Sequence, residues 1–260
     1  MKNPFIPYTR RLNGLAFSTF MVAILFLINV PNAVYCQKSK EHLEKGVAKD
    51  EIEDFDGAVV EYSKAIELDS ANVDLYDRRG TSKYFLGDYN GAISDYTQAI
   101  ELDSNNAILY YNRGVAKNKI EDFNGAIADY NKAIILDPYD FVSYDNRGTV
   151  KYYLKDYNGA ISDYTQAIEI NMDFTGAYFN RGIANDELKD YGHAIADYTK
   201  VIELDPNHTD AYERREVAMD NLRDMVGPLE KNNEPDKKEF DYAFIFLILE
   251  TILTNVKINY

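Results

Sequence analysis

The side chains best suited to chemistry in this sequence are its three histidines, His42, His193 and His208. None of them has a second His or Cys at the spacing of a zinc site. A nucleophilic Ser, Thr or Cys would need a base beside it, and the sequence offers no such arrangement. We therefore interpret the histidines as surface residues and predict no catalytic residue, no metal, no cofactor and no enzymatic activity.

Acidic clusters form a second candidate, because hard cations bind carboxylate and carbonyl oxygens. One cluster is "ELDSNN" at residues 101–106. It lacks the loop glycine and the terminal bidentate Glu of an EF-hand calcium site. Helix capping explains these residues more simply.

A charged pattern also recurs along the chain, with an Arg before a Gly and an Asp before a Tyr. We hypothesise that these residues form Arg–Asp ion pairs, with the arginine stem covering apolar surface. The alternative is two independent solvated charges, and an exposed pair would contribute only ~0.2–1 kcal/mol. The residues are Arg79, Arg113, Arg147 and Arg181, with Asp95, Asp129, Asp163 and Asp197.

These patterns belong to a repeat. The fourteen letters "DYNGAISDYTQAIE" occur at 88–101 and again at 156–169. Glycines recur every 34 residues, at Gly46, Gly80, Gly114, Gly148 and Gly182. Such a period indicates an array of one supersecondary unit. We place the units at 39–72, 73–106, 107–140, 141–174 and 175–208.

Each unit reads as two helices. In the second half of a unit the apolar residues fall on one helical face, as in Tyr89, Ala92, Ile93, Tyr96, Ala99 and Ile100. Gly80 and Ala92 lack bulk, so we expect two helix backbones to approach there. Asp137-Pro138 and Asp205-Pro206 are interpreted as a cap and a first-turn proline that start the next first helix.

The repeat resembles the tetratricopeptide repeat (TPR) over about two thirds of the chain. The resemblance is carried by Gly80, Ala92, Tyr96, Ala99 and Asp205-Pro206. It implies an all-α fold, an α-solenoid (a right-handed superhelix) of five 34-residue helix-turn-helix units. The segment 209–226 then resembles the family's C-terminal capping helix, with Glu216 where the glycine would stand. This chain departs from the family in having Arg where Leu usually precedes the glycine.

The resemblance implies a non-enzymatic protein-interaction scaffold that binds an extended peptide on the concave face of its first helices. A column of carboxamides there could hold a peptide backbone, although Asn is also simply tolerated on a polar helix face. The column consists of Arg78, Asn112, Asn146, Asn180 and Arg214.

Around this column the side chains are aromatic and acidic, which favours a basic or aromatic partner segment. They are Asp77, Tyr111, Asp145, Phe179, Tyr84 and Tyr152, with Asp186 in the fifth unit. Some family members bind a C-terminal carboxylate through a Lys and Asn clamp. Asp77 and Asp145 occupy the lysine positions here, so that class of partner is disfavoured.

Charge argues against nucleic acid as a partner. The formal net charge of the 260-residue chain is −15, and its pI is near 4.6. Phosphate backbones would be repelled. A protein or peptide partner is therefore the expectation.

The first 36 residues have the layout of an export signal: a basic stretch, an apolar run at 15–30, then Pro31 and small residues. The run is short for a bilayer span. We expect cleavage after Ala33 or Cys36 and a location in the periplasm, the cell envelope or outside the cell. The alternatives are an uncleaved membrane anchor and a lipid on Cys36, against which Tyr35 argues.

Beyond the array come a charged linker at 227–240 and an apolar segment at 241–260. Ile245, Ile248, Leu249, Ile252 and Val256 share one helical face, so we expect a helix docked on the exposed end of the array. Phe246 and Leu253 lie off that face and keep open a membrane-surface or partner-binding helix. The alternative function is a structural or assembly protein of the envelope that self-associates or is membrane-tethered.

Overall fold

The structure, a computed structural model, describes residues 34–226. The expected export signal up to residue 33, the linker at 227–240 and the apolar segment at 241–260 lie outside these residues. Within them all regular secondary structure is helical. None of the described helices is both long and apolar enough to cross a membrane.

Each 34-residue repeat contributes a first and a second helix, and a final first helix follows. The chain divides into two compact bodies after Asp103. The first body holds α1 (34–50), α2 (Phe55–Leu68), α3 (Val73–Phe85) and α4 (Tyr89–Leu102). The second body holds α5 (Ala107–Lys119), α6 (Phe123–Leu136), α7 (Phe141–Tyr153), α8 (Tyr157–Ile170), α9 (Thr175–Glu187), α10 (Tyr191–Leu204) and α11 (Thr209–Val226). In the second body each helix packs against the next in sequence. The prediction of an all-α solenoid of helix pairs is confirmed.

The junctions between repeats correct one prediction. Asp137 does not cap the start of α7. It ends α6, because its N–H still donates to the Ala133 carbonyl while its own backbone turns extended. The chain then needs Pro138 and one more residue to reverse direction. The N-cap of α7 is Asp140, whose carboxylate accepts the Val142 N–H at 3.1 Å. In the last repeat Asp205 likewise ends α10.

Within each repeat a buried tyrosine of the second helix fills the space beside the glycine of the first. The five rings are almost fully buried: Tyr62, Tyr96, Tyr130, Tyr164 and Tyr198. A Cβ on Gly80 would lie 2.9 Å from Tyr96 Cε1. The glycine is therefore required mainly by the tyrosine ring, rather than by the backbone contact that the sequence suggested.

The Arg–Asp pairs are confirmed, and their carboxylates are buried. In the fourth repeat Arg147 Nε donates to Asp163 Oδ2 at 2.9 Å and its Nη2 to Oδ1 at 2.6 Å. The Asp163 side chain is only 3% exposed. Lys151 Nζ adds a contact of 2.8 Å to the same carboxylate. The same bidentate geometry occurs at Arg79–Asp95, Arg113–Asp129 and Arg181–Asp197.

Candidate peptide-binding site in the second body

The predicted site residues fall into both bodies. The first body contains Asp77, Arg78 and Tyr84. There Arg78 Nε is bonded to the Asp74 carboxylate at 2.8–2.9 Å. Tyr84 packs edge-on against the Tyr89 ring, 5.3 Å between centroids. The remaining eight residues lie in the second body, and the site is described there.

The column of carboxamides occupies the same step of each first helix. Asn112 lies on α5, Asn146 on α7 and Asn180 on α9, and Arg214 follows on α11. Asn146 Nδ2 donates to the Val142 carbonyl of its own helix at 2.9 Å. Asn180 Nδ2 donates to Asp145 Oδ1 at 3.1 Å. Both bonds use the amide nitrogen, and neither uses the amide oxygen.

Several predicted ligand contacts also join neighbouring first helices. The Asn180–Asp145 bond links α9 to α7, and Tyr152 O–H donates to Glu187 Oε1 at 3.1 Å. The two residues of each bond are 35 positions apart in the chain. The sequence pattern did not predict these links, since they depend on how closely the helices pack.

Aromatic residues on the same helices are partly buried by their own repeats. The Arg214 guanidinium lies 5.8 Å from the Phe179 ring centroid, and the His208 ring lies 4.7 Å from it. Tyr111 lies 6.1 Å from the Tyr130 ring and packs on the core of α6. Phe179 and Tyr111 are therefore only partly exposed.

Burial affects one of the acidic residues of this face. It raises the pKa of Asp145 above its usual value, and the hydrogen bond from Asn180 opposes that rise. Asp145 is thus a shielded acceptor rather than a fully solvated charge.

A cavity opens where α9 and α11 adjoin this face. Its volume is about 420 Å³, and its lining consists of Asp186, Asp210, Glu213, Arg214 and Val217. Three carboxylates against one guanidinium make it acidic. The sequence pattern indicated Asp186 and Arg214 but not the other three, because α11 was interpreted as a capping helix that contributes only Arg214 to the site. The part of the chain described here contains no group of three His, Cys, Asp or Glu side chains placed to hold a metal.

Asp186 is the least satisfied carboxylate of the cavity. Its Oδ2 accepts the Tyr198 O–H at 2.5 Å, while its buried Oδ1 has no hydrogen-bond partner among residues 34–226. Burial raises its pKa, against the opposing effects of Tyr198 and Arg214. A buried carboxylate oxygen without a hydrogen-bond partner lowers the stability of the folded state.

The first repeat shows how both oxygens of a carboxylate at this position can accept hydrogen bonds. Asp50, four periods before Asp186, accepts from Tyr62 O–H at 2.6 Å and from Ser82 Oγ at 2.8 Å. The residue four periods after Ser82 is Ala218. The missing hydroxyl therefore explains the orphaned oxygen.

Ala218→Ser is expected to stabilise the fold by about 1 kcal/mol at neutral pH, because the new hydroxyl can donate to Asp186. Since burial raises the folded pKa of Asp186 above 3.8, ionisation destabilises the native state as pH rises above that value. The gain should therefore shrink below pH 3.8, where the carboxyl group is neutral. Urea denaturation at neutral pH and below pH 3.8 measures the change in the free energy of unfolding.

The control is Ala211→Ser, an equally buried alanine of α11. It reports the cost of burying a hydroxyl. An equal gain in both variants, or a gain that persists undiminished in acid, would contradict the explanation.

Comparison with known proteins agrees with this architecture. Family models described as "TPR repeat" and "Tetratricopeptide repeat" match residues 80–120, 107–140, 142–173 and 176–208. A comparison with curated proteins finds no significant match.

Three solved structures illustrate the similarity. The crystal structure of MamA protein is 26% identical, covering 67% of this chain and 95% of that one, with a TM-score of 0.61. A tetratricopeptide repeat protein from Parabacteroides merdae is 22% identical over 72% and 74%, with a TM-score of 0.64. YrrB, described as "a TPR protein with an unusual peptide-binding site", is 20% identical over 67% and 90%, with a TM-score of 0.58.

The repeated helix pairs, the glycine–tyrosine contacts and these matches lead to one conclusion about the architecture. TPR repeat proteins are in general non-enzymatic interaction scaffolds. Residues 80–208 of this chain match tetratricopeptide repeats, and its fold is that of an all-α TPR solenoid.

Proposed function

We propose that this protein binds an extended peptide segment of a partner protein along the first helices of its second body. The cavity between α9 and α11 carries the proposal, because it lies next to the carboxamide column and is lined by three carboxylates. A basic side chain of the partner enters this cavity. The peptide backbone runs over the column.

The column supports backbone recognition. A carboxamide both donates and accepts, so it can bond a peptide group whatever the side chain. Among residues 34–226, the hydrogen bonds of Asn146 and Asn180 use the amide nitrogens and leave the amide oxygens available. Peptide N–H groups are suitable donors to them.

The cavity supports selection of a basic segment. Asp210 and Glu213 are both solvent-exposed on α11, and the whole chain is strongly acidic. Charge complementarity of this kind contributes mainly to specificity and association rate. YrrB, a protein of the same fold, is described as having a peptide-binding site, which makes peptide recognition a reasonable use of this architecture.

Neutralising the cavity tests the proposal. Asp210→Asn with Glu213→Gln should weaken binding of an unstructured peptide of alternating Lys and Tyr by roughly tenfold, and should reduce the salt dependence of binding. Fluorescence polarisation measures the affinity. A peptide with Glu in place of Lys should bind weakly to the native chain.

The matched control is Asp173→Asn with Asp224→Asn, two exposed acids outside the cavity that give the same change in charge. It should bind the Lys-Tyr peptide almost as well as the native chain. Equal losses in both double variants would mean that only overall charge matters. Unchanged affinity in the cavity variant would refute the cavity as the site.

Removing the carboxamides tests the column separately. Asn112→Ala, Asn146→Ala and Asn180→Ala together should lower affinity for the same peptide while circular dichroism shows unchanged helicity. Unchanged affinity would exclude the column as the backbone contact.

A further inference from the structure

The junctions that join α6 to α7 and α8 to α9 carry exposed apolar side chains. Ile135 is 71% exposed in the last turn of α6, Tyr139 is 80% exposed between α6 and α7, and Met172 is 71% exposed between α8 and α9. These are the largest exposed fractions among the large apolar side chains of residues 34–225. We call these three residues the junction patch.

The junction patch departs from the rest of the array. At the place of Ile135 the four other repeats carry glutamate: Glu67, Glu101, Glu169 and Glu203. At the places of Tyr139 and Met172 they carry small residues, polar residues or proline: Ala71, Asn105, Asp173 and Asn207 for the first, and Ser70, Ser104, Pro138 and Pro206 for the second. The same helix pairs therefore form without apolar side chains at these places. Exposed apolar residues that the fold does not need indicate a contact surface.

A ring contact joins the two junctions. The ring of Phe141, which begins α7, lies 4.9 Å from the ring of Phe174, which precedes α9. Tyr139 and Met172 each stand two residues before one of these rings. Phe174 is also the N-cap residue of α9 and makes no side-chain cap bond, whereas Asp140 caps α7. An apolar contact thus takes the place of a polar cap, and it holds the two exposed junctions beside each other.

The surroundings of the junction patch are acidic. Residues 135–141 and 169–175, which span the two junctions, contain no Lys or Arg but four carboxylates: Asp137, Asp140, Glu169 and Asp173. The Lys132 ammonium, one turn earlier, lies 5.9 Å from the centroid of the Tyr110 ring on α5. A second copy docked through the same patch would set like charges against each other, and an anionic lipid surface would be repelled. The complementary surface is apolar and bordered by Lys or Arg.

We infer that the junction patch binds an amphipathic basic helix of a partner protein. Such a helix presents an apolar stripe with cations along its edges, so the stripe covers the three apolar side chains and the cations meet the carboxylates. Tyr139 protrudes furthest, and tyrosine is a residue type that often dominates the energy of an interface. The patch lies at the ends of the helices, whereas the proposed peptide site lies along the first helices. It is therefore a second binding surface.

Returning the junction patch to the residues of the other repeats tests the inference. The native full chain should bind a fluorescent helical peptide that has leucines on one face and lysines beside them. The triple variant Ile135→Glu, Tyr139→Asn and Met172→Ser should lose at least about tenfold in affinity. Ile135→Glu makes the chain more acidic, so a purely electrostatic contact would become stronger instead. Fluorescence polarisation measures the affinity, and circular dichroism should show unchanged helicity.

The matched control removes exposed apolar side chains elsewhere in the second body. Tyr153→Asn with Met225→Glu replaces residues that are 59% and 62% exposed and gives the same change in charge. Tyr153 lies at the opposite end of α7, and Met225 lies near the end of α11. The control should bind the Leu-Lys peptide almost as well as the native chain. Equal losses in the two variants, undiminished affinity in the triple variant, or a native chain that does not bind would each overturn the inference.

The acidic rim is tested separately. Glu169→Gln with Asp173→Asn should weaken binding of the Leu-Lys peptide and reduce its salt dependence. A helical peptide with Glu in place of Lys should bind weakly to the native chain. If the Leu-Glu peptide bound as tightly as the Leu-Lys peptide, the basic character of the partner would be wrong.

Other occupants give different results. A native dimer in sedimentation velocity that the triple variant abolishes would assign the junction patch to a second copy of the chain. Flotation with phosphatidylcholine or phosphatidylserine vesicles that the triple variant abolishes would assign it to lipid. Either result would overturn the inference. The Lys-Tyr peptide should bind the native chain and the triple variant alike, so this inference and the proposed function fail independently; a loss of Lys-Tyr binding in the triple variant would contradict two separate surfaces.

Discussion

Asp163→Ala is expected to lower the free energy of unfolding by about 3 kcal/mol, because it leaves two largely shielded cations, 16% and 22% exposed, without their carboxylate. Arg147 and Lys151 both contact Asp163, whose side chain is 3% exposed. Neither cation can regain full hydration at that depth. Urea denaturation followed by circular dichroism gives the loss, and hydrogen exchange should place it in α7 and α8.

Asp173→Ala is the control for this prediction, because Asp173 is exposed and its substitution should change stability by less than about 0.5 kcal/mol. Exchanging the charges in Arg147→Glu with Asp163→Arg should restore part of what either single change loses. The recovery is partial because Lys151 would then face an arginine. If Asp163→Ala lowered the free energy of unfolding no more than the control does, the ion pair would contribute nothing to stability.

Gly148→Ala is expected to destabilise the protein by about 1–3 kcal/mol through overpacking. The new Cβ would lie 2.8 Å from Tyr164 Cε1 and 3.2 Å from the Ala160 carbonyl oxygen. Tyr164 is fully enclosed, so its ring cannot simply move aside. The gain of about 1 kcal/mol in helix propensity offsets only part of this cost. Thermal and urea unfolding measure the net change.

Gly176→Ala separates packing from propensity. Gly176 lies in the first turn of α9, where an added Cβ would make only ordinary contacts, at 3.4 Å, with the Phe174 ring. This variant should be neutral or slightly stabilising. If both alanine variants changed stability alike, the glycine–tyrosine contact would not be the reason for glycine at Gly148.

Most of the fold followed from spacing along the chain. The 34-residue period and the apolar face of each second helix predicted the helix pairs, because one helical face must be buried against a neighbour. The hypothesis that Arg147 pairs with Asp163 was also correct. The sequence could not show that this pair is buried, since burial depends on the distance between helices.

The site was less predictable. Asn146 and Asn180 do lie at one step of successive helices, as the resemblance implied. Their use as ligand contacts stays a prediction, and the structure adds that Asn180 already bonds Asp145 on the neighbouring first helix. Contacts between residues 35 positions apart arise only when two first helices lie side by side, so periodicity alone does not specify them.

The sequence by itself determined the number of repeats, the helical class and the residue types on each helix, because these depend on local periodicity and side-chain size. Tertiary structure decided which polar atoms are satisfied. The buried Asp186 Oδ1 and Arg215 Nε show this difference. Each occupies a position that is bonded elsewhere in the array. Each lacks a partner among residues 34–226, where residue 218 is an alanine without a hydroxyl and no further helix follows α11.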